Sequence, residues 1–182
     1  MHIPTLPTES ITSGARTGAI SWDSMFMGVA LLAAARSKDP KTQNGACIVS
    51  SENRILGVGY NGLPRGCDDR DPIYWADKDD DPYLSKHSYV VHAEVNAILN
   101  CVVLPLTAAR MYTSQFPCPR CAQAIIQTGI NAVVYLREKD HHSDMNRAVT
   151  KMFNAAGIVV TVLPMEASAW AHRFTEILCA TE

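Results

Sequence analysis

The sequence predicts an α/β fold of three layers, α/β/α, around a mixed five-stranded sheet. Two observations carry this. In the second half, strand-length apolar runs alternate with helical segments, two of which stop at a glycine. That alternation builds parallel strands covered by helices on both faces. In the first half, two apolar runs flank the polar turn Ser51-Glu52-Asn53, as in an antiparallel hairpin.

The elements follow in order. Residues 1–20 are rich in Pro, Thr, Ser and Gly without a sustained period, and are expected to form an N-terminal arm. One domain is expected over 21–182. Ser21 is an N-cap candidate for a helix running to about Ser37, and Asp39-Pro40 ends that region. Strands are expected at Gly45–Val49 and Ile55–Tyr60, followed by a long polar loop from Asn61 to Lys86. A helix over about His92–Cys101 leads to a strand near Arg110–Thr113. A helix then covers about Pro119–Thr128, with Gly129 as its stop. Ala132–Leu136 reads as a strand, Asp144–Ala156 as a helix closed by Gly157, and Ile158–Leu163 as a strand. A terminal helix is expected over Glu166–Cys179. No solenoid-type repeat interrupts this order.

Composition narrows the function. A chain of 182 residues with 47% hydrophobic and 19% charged residues is ordinary for one globular domain. The net charge of −2 argues against a general nucleic-acid clamp, which would be basic. No apolar run reaches the 18 or so residues of a membrane span, so no membrane partner is expected. The first residues lack the basic and apolar regions of a secretory signal. The six cysteines are therefore expected to be mostly reduced, and the protein cytoplasmic.

Chemistry concentrates at His92-Ala93-Glu94 and Pro117-Cys118-Pro119-Arg120-Cys121. Both groups lie where a strand or loop enters a helix. Cys118 and Cys121 are three apart and can face one point from a first helical turn. Pro119 suits that turn, where its missing donor costs little. Two thiolates and one imidazole give zinc three protein ligands and leave a fourth position for water. Cys67, Cys101, His87, His141 and His142 offer no paired spacing that would close the site. Glu94, two residues after His92, is placed to move protons between such a water and a substrate nitrogen. The combination H-x-E with P-C-x-x-C is the signature of zinc-dependent nucleobase deaminases.

At these residues the chain resembles the cytidine deaminase superfamily, and within it the deoxycytidylate deaminases. SKDPKTQNGACIV at 37–49, GYNGLPRGCDD at 59–69, HAEVNAIL at 92–99 and FPCPRCAQAIIQTGI at 116–130 carry the resemblance, which runs from about residue 22 to 163. It implies a cytidine deaminase-like fold and hydrolytic deamination of dCMP to dUMP and ammonia, feeding thymidylate synthesis. It further implies Zn2+ on His92, Cys118 and Cys121, with Glu94 as the proton shuttle. The Ala93 amide would face the pyrimidine carbonyl, and Asn61 the sugar or phosphate. The backbone around Gly59, Tyr60, Gly62 and Gly66 is implied in binding substrate or a regulatory nucleotide. Activation by dCTP, with Mg2+ on the nucleotide, inhibition by dTTP and a homohexamer are implied as well. Asn44 replaces a residue that is usually small and apolar, and His141 stands near a position that is usually Tyr.

A monophosphate also needs cationic donors, and Lys38, Arg65, Arg120, Lys139 and His141 lie in or beside the motifs. Two alternatives stand beside this reading. One is a deaminase of another cytosine nucleotide or aminated base. The other is a non-catalytic zinc- and nucleotide-binding regulatory protein.

Overall fold

Alternating side chains along the strands supply two apolar faces, and these set the architecture. In the strand β1 (Gly45–Val49), Ala46 and Ile48 enter one core while Cys47 and Val49 enter the other. The same division separates Met111 from Tyr112 in β3 (Arg110–Gln115) and Val133 from Val134 in β4 (Ala132–Arg137). Strands buried on both faces must be covered on both faces. The computed structural model that shows this describes residues 19–78, 80–139 and 143–163. Nearly all of the expected arm, the expected terminal helix and His141 lie outside the described residues.

The sheet order is β2-β1-β3-β4-β5, with β2 at Ile55–Tyr60 and β5 at Val159–Val162. β1 is antiparallel to β2 and β3, whereas β3, β4 and β5 run parallel. The mixed five-stranded sheet and its hairpin are thus as expected. Asn53 takes the left-handed conformation in the hairpin turn (φ 62°), which Asn tolerates better than most residues.

Helix α1 (Trp22–Ala34) covers one face through Phe26, Met27, Ala30 and Leu31. Fully burying a large apolar side chain such as Phe26 contributes about 1.5–3 kcal/mol. The other face carries α2 (Ala93–Leu99), α3 (Pro119–Gln127) and α4 (Asp144–Ala156). Local signals set several helix ends. Ser21 and Ser143 accept the Ser24 and Asn146 N–H groups as N-caps, and Gly157 closes α4 at φ 69°. Gly59 lets α2 lie directly on β2, because a Cβ there would stand 2.2 Å from the Ala97 nitrogen and 2.4 Å from the Ala93 oxygen.

Two expectations need correction. The first helix ends at Ala34, not near Ser37: the Arg36 and Ser37 N–H groups turn back to Ala33 and Ala34, and the Ser37 hydroxyl donates to the Asn61 carbonyl. The segment expected as a long polar loop also contains regular structure, in short 3-10 turns at Pro72–Trp75, Pro82–Leu84 and Lys86–Ser88. Asp71-Pro72 and Asp81-Pro82 each start a turn, the carboxylate accepting an N–H two residues on. Paired Gly62–Val91 backbone bonds of 3.1 and 2.9 Å join the ends of this insert beside His92.

Candidate active site

Two helix starts bring the expected ligands together. His92 is the N-cap of α2, and Cys118 is the N-cap of α3 with Pro119 in the first turn. The His92 Nδ1 lies 3.4 Å from the Cys118 Sγ and 3.4 Å from the Cys121 Sγ. All three donor atoms fall within 4.8 Å of one another.

The donor chemistry fits a divalent cation. The Cys121 thiol, bonding to Cys118, holds the Cys118 thiol well below its ordinary value, against burial and with help from His92. The same contact, with burial, pushes Cys121 up. Two thiolates this close repel unless a cation lies between them. Zinc binding would therefore release protons. His92 is raised chiefly by its bond to Cys118, with burial opposing. Two thiolates and an imidazole nitrogen are a zinc donor set, and three protein ligands leave one position open.

Glu94 sits in the first turn of α2 at 6% exposure. Burial pushes its carboxyl above the ordinary value, against weaker opposing effects from its own backbone N–H and His92. A carboxyl raised in this way is suited to carrying a proton.

A cleft of about 270 Å³ opens beside these groups, at the small end of ligand pockets. His92 and Ala93 form one side, and Asn44, Asn61, Asp39 and Lys86 form another. A network fixes the second side. The Asn61 Oδ1 accepts the Asn44 N–H at 2.8 Å, and its Nδ2 donates to the Thr42 carbonyl at 2.9 Å and toward Asp39 at 3.4 Å. The Ser114 hydroxyl donates to the Asn44 Oδ1 at 3.1 Å and accepts the Gly45 N–H at 3.1 Å. Asn61 thus has one Oδ1 lone pair left for a ligand.

Of the residues singled out in the sequence, His92, Ala93, Asn44, Asn61 and Lys139 line this cleft. Lys38, Gly59, Tyr60, Gly62, Arg65 and Arg120 do not. Lys38 pairs with Asp69 at the surface, and Arg65 and Arg120 are exposed. Gly59 packs against α2, and Gly62 closes the insert. Gly66 has the left-handed φ of 90° expected of a turn glycine.

The sequence reading missed the Asp39–Lys86 pair. The Lys86 Nζ donates to both Asp39 oxygens at 2.8 and 2.9 Å, with the residues 6% and 4% exposed. Burial favours the neutral Asp39, but Lys86 and the Lys41 and Thr42 N–H groups outweigh it and hold the carboxyl below its ordinary value. No helix among the described residues is long and apolar enough to cross a membrane.

Comparison with known proteins agrees with this geometry. The family model for the cytidine and deoxycytidylate deaminase zinc-binding region matches residues 20–137. A probable deoxycytidylate deaminase of Drosophila melanogaster is 47% identical over 156 residues, covering 83% of this chain and 76% of the relative. The deoxycytidylate deaminase of Homo sapiens is 46% identical over 143 residues, 79% of this chain and 80% of the relative. The crystal structure of dCMP deaminase from the cyanophage S-TIM5 in complex with dCMP and dUMP shares the fold. Its TM-score is 0.59 at 24% identity, covering 76% of this chain and 94% of that one. The chain belongs to the zinc-dependent cytidine and deoxycytidylate deaminase family.

Proposed function

We propose that the protein hydrolyses dCMP to dUMP and ammonia. The observation that carries the reading is the meeting of His92, Cys118 and Cys121 beside buried Glu94, at a cleft sized for one small ligand. Relatives at 46–47% identity named as deoxycytidylate deaminases support the substrate.

His92, Cys118 and Cys121 would hold the zinc. When bound, zinc lowers the pKa of its water and so supplies a nucleophile near neutral pH. The remaining work falls to the chain's own groups. Glu94 takes one proton from water and delivers it to the ring nitrogen N3, then moves the second, from the hydroxyl added at C4, to the departing amine. The N–H of Ala93, in the first turn of α2, has no acceptor within its helix and is free to bond the pyrimidine carbonyl. Asn44 and Asn61 shape the side of the cleft that meets the sugar.

The reading includes the finer properties implied by the resemblance: activation by dCTP with Mg2+, inhibition by dTTP, a homohexamer, and supply of dUMP for thymidylate synthesis in the cytoplasm. Ammonia release from dCMP, dCTP and deoxycytidine by zinc-loaded protein tests the activity. Turnover of dCMP that a zinc chelator abolishes is the expected result. No release from dCMP with one zinc bound per chain overturns it. The same assay with dCTP plus Mg2+ or with dTTP tests regulation, and light scattering tests the oligomer.

A further inference from the structure

We propose that Lys139 holds the 5′-phosphate of the substrate, with Arg137 beside it, and so selects nucleotide over nucleoside. The inference rests on the deaminase reading and adds the residue that sets its specificity.

Placement is the first argument. Lys139 lies in the cleft wall that His92 and Ala93 also line. A neighbouring hollow of about 330 Å³ shares Thr42, Gln115 and Lys139 with the cleft and adds Lys41 and Arg137. A third hollow, of about 400 Å³, runs past Cys118 and Pro119 and again reaches Gln115 and Lys139. Lys139 therefore stands where the three meet. Gln115 ends β3 and Arg137 ends β4, and the two are paired in the parallel register. Open α/β sheets bind ligands outside the carboxyl ends of their parallel strands. The phosphate end of a nucleotide whose base lies by His92 would reach the mouth of the cleft at this edge.

Charge pairing is the second argument. Lys86 is committed to Asp39, Lys41 pairs with Asp77, and His87 lies 3.8 Å from Asp77. Among the described residues, neither Lys139 in the cleft wall nor Arg137 in the neighbouring hollow is paired with a carboxylate. The adjacent Glu138 carboxylate forms no ion pair with Lys139 and accepts from the Tyr135 hydroxyl at 3.2 Å and the Asn146 amide at 2.8 Å. The Arg137 Nε donates to the Ser114 carbonyl at 3.5 Å, which leaves its other N–H groups for an anion. A phosphate dianion at this edge would gain charge-assisted bonds that a nucleoside hydroxyl lacks.

The test compares ligands that differ only in the phosphate. Binding of the product dUMP and of deoxyuridine is measured by calorimetry, and turnover of dCMP and deoxycytidine by ammonia release. The variants are Lys139→Met, Lys139→Arg and, as a control exposed on α4, Lys151→Met. Lys139→Met is expected to raise the dUMP Kd and the dCMP KM about 10- to 100-fold, as expected for one hydrogen bond to a charged group. The kcat stays within about threefold, phosphate-free ligands are unaffected, and Lys139→Arg restores most of the affinity. Equal losses for dUMP and deoxyuridine, or an unchanged dUMP Kd, overturn the proposal. If dUMP binds through Lys139 but dCMP is not turned over, the deaminase reading fails and the phosphate contact stands. If dCMP is turned over and Lys139→Met leaves its KM unchanged, the phosphate contact alone fails.

Discussion

Glu94 and Asp39 are both buried carboxyls near one cleft, and their surroundings push them in opposite directions. Glu94 is raised by burial, whereas Asp39 is held down because Lys86 and two backbone N–H groups outweigh burial. Different consequences follow. Glu94→Gln keeps the shape of the side chain but cannot exchange a proton. It should retain about one zinc per chain and lose turnover by at least about 10²-fold. Metal analysis beside ammonia release checks both. Asp39→Asn strands a buried ammonium and should cost about 3–5 kcal/mol in urea unfolding. Adding Lys86→Met should recover much of that loss, because the damage is the uncompensated charge. The sign with pH follows from linkage. The unfolded Asp39 binds a proton more tightly than the folded one, so its contribution is complete above the ordinary value of 3.8 and is lost as pH falls through the lower folded value. Acid unfolding of Asp39→Asn should therefore lose this component of its pH dependence. His92, Glu94 and the cysteine pair were legible because their chemistry is written in short spacing. The Asp39–Lys86 pair was not, since 47 residues separate the partners and each looks like a surface charge in isolation.

Elements place the site through close backbone approach, and one glycine shows this well. α2 carries Ala93 and Glu94 and rests on β2 at Gly59, where a Cβ would meet helix backbone instead of a movable side chain. Gly59→Ala must therefore shift α2 itself. It should cost about 3 kcal/mol or more, the upper range for overpacking, and reduce turnover about 10²-fold by displacing Glu94. Gly157→Ala is the contrasting case. It strains the left-handed end of α4, with nothing within 4 Å of the new methyl group, so it should cost about 1 kcal/mol and leave turnover intact. Urea unfolding and ammonia release on both variants separate the two effects. Helix ends were legible at this scale because Ser21, Ser143, Pro119 and Gly157 act locally. The 3-10 turns were not anticipated, although their Asp-Pro starts were visible. A single turn has too few residues to show a period.

At the scale of the whole molecule, the question is whether the metal site holds the fold or only joins two parts of it. The strand and helix alternation made the layers legible, but the order β2-β1-β3-β4-β5 depends on pairings between distant segments. β1 pairs with β3 across about sixty residues, and that pairing carries both ligand-bearing helices to one face of the sheet. α2 and α3 share that core through Ala97, Ile98, Ala122 and Ile125, so apolar contacts as well as the metal ligands join them. Zinc should then act as a ligand of a folded protein and stabilise it by mass action. At a free concentration about 100 times its Kd it adds about 2.7 kcal/mol. For a chain of this size that corresponds to a Tm increase of roughly 5–10 °C. Chelation should lower the Tm by that amount, leave the circular dichroism of the cold protein unchanged, and reverse when zinc is returned. Cys121→Ala should start from the lower Tm and respond little to chelator. Loss of secondary structure on chelation at room temperature would contradict this, and would make the metal a requirement of the fold.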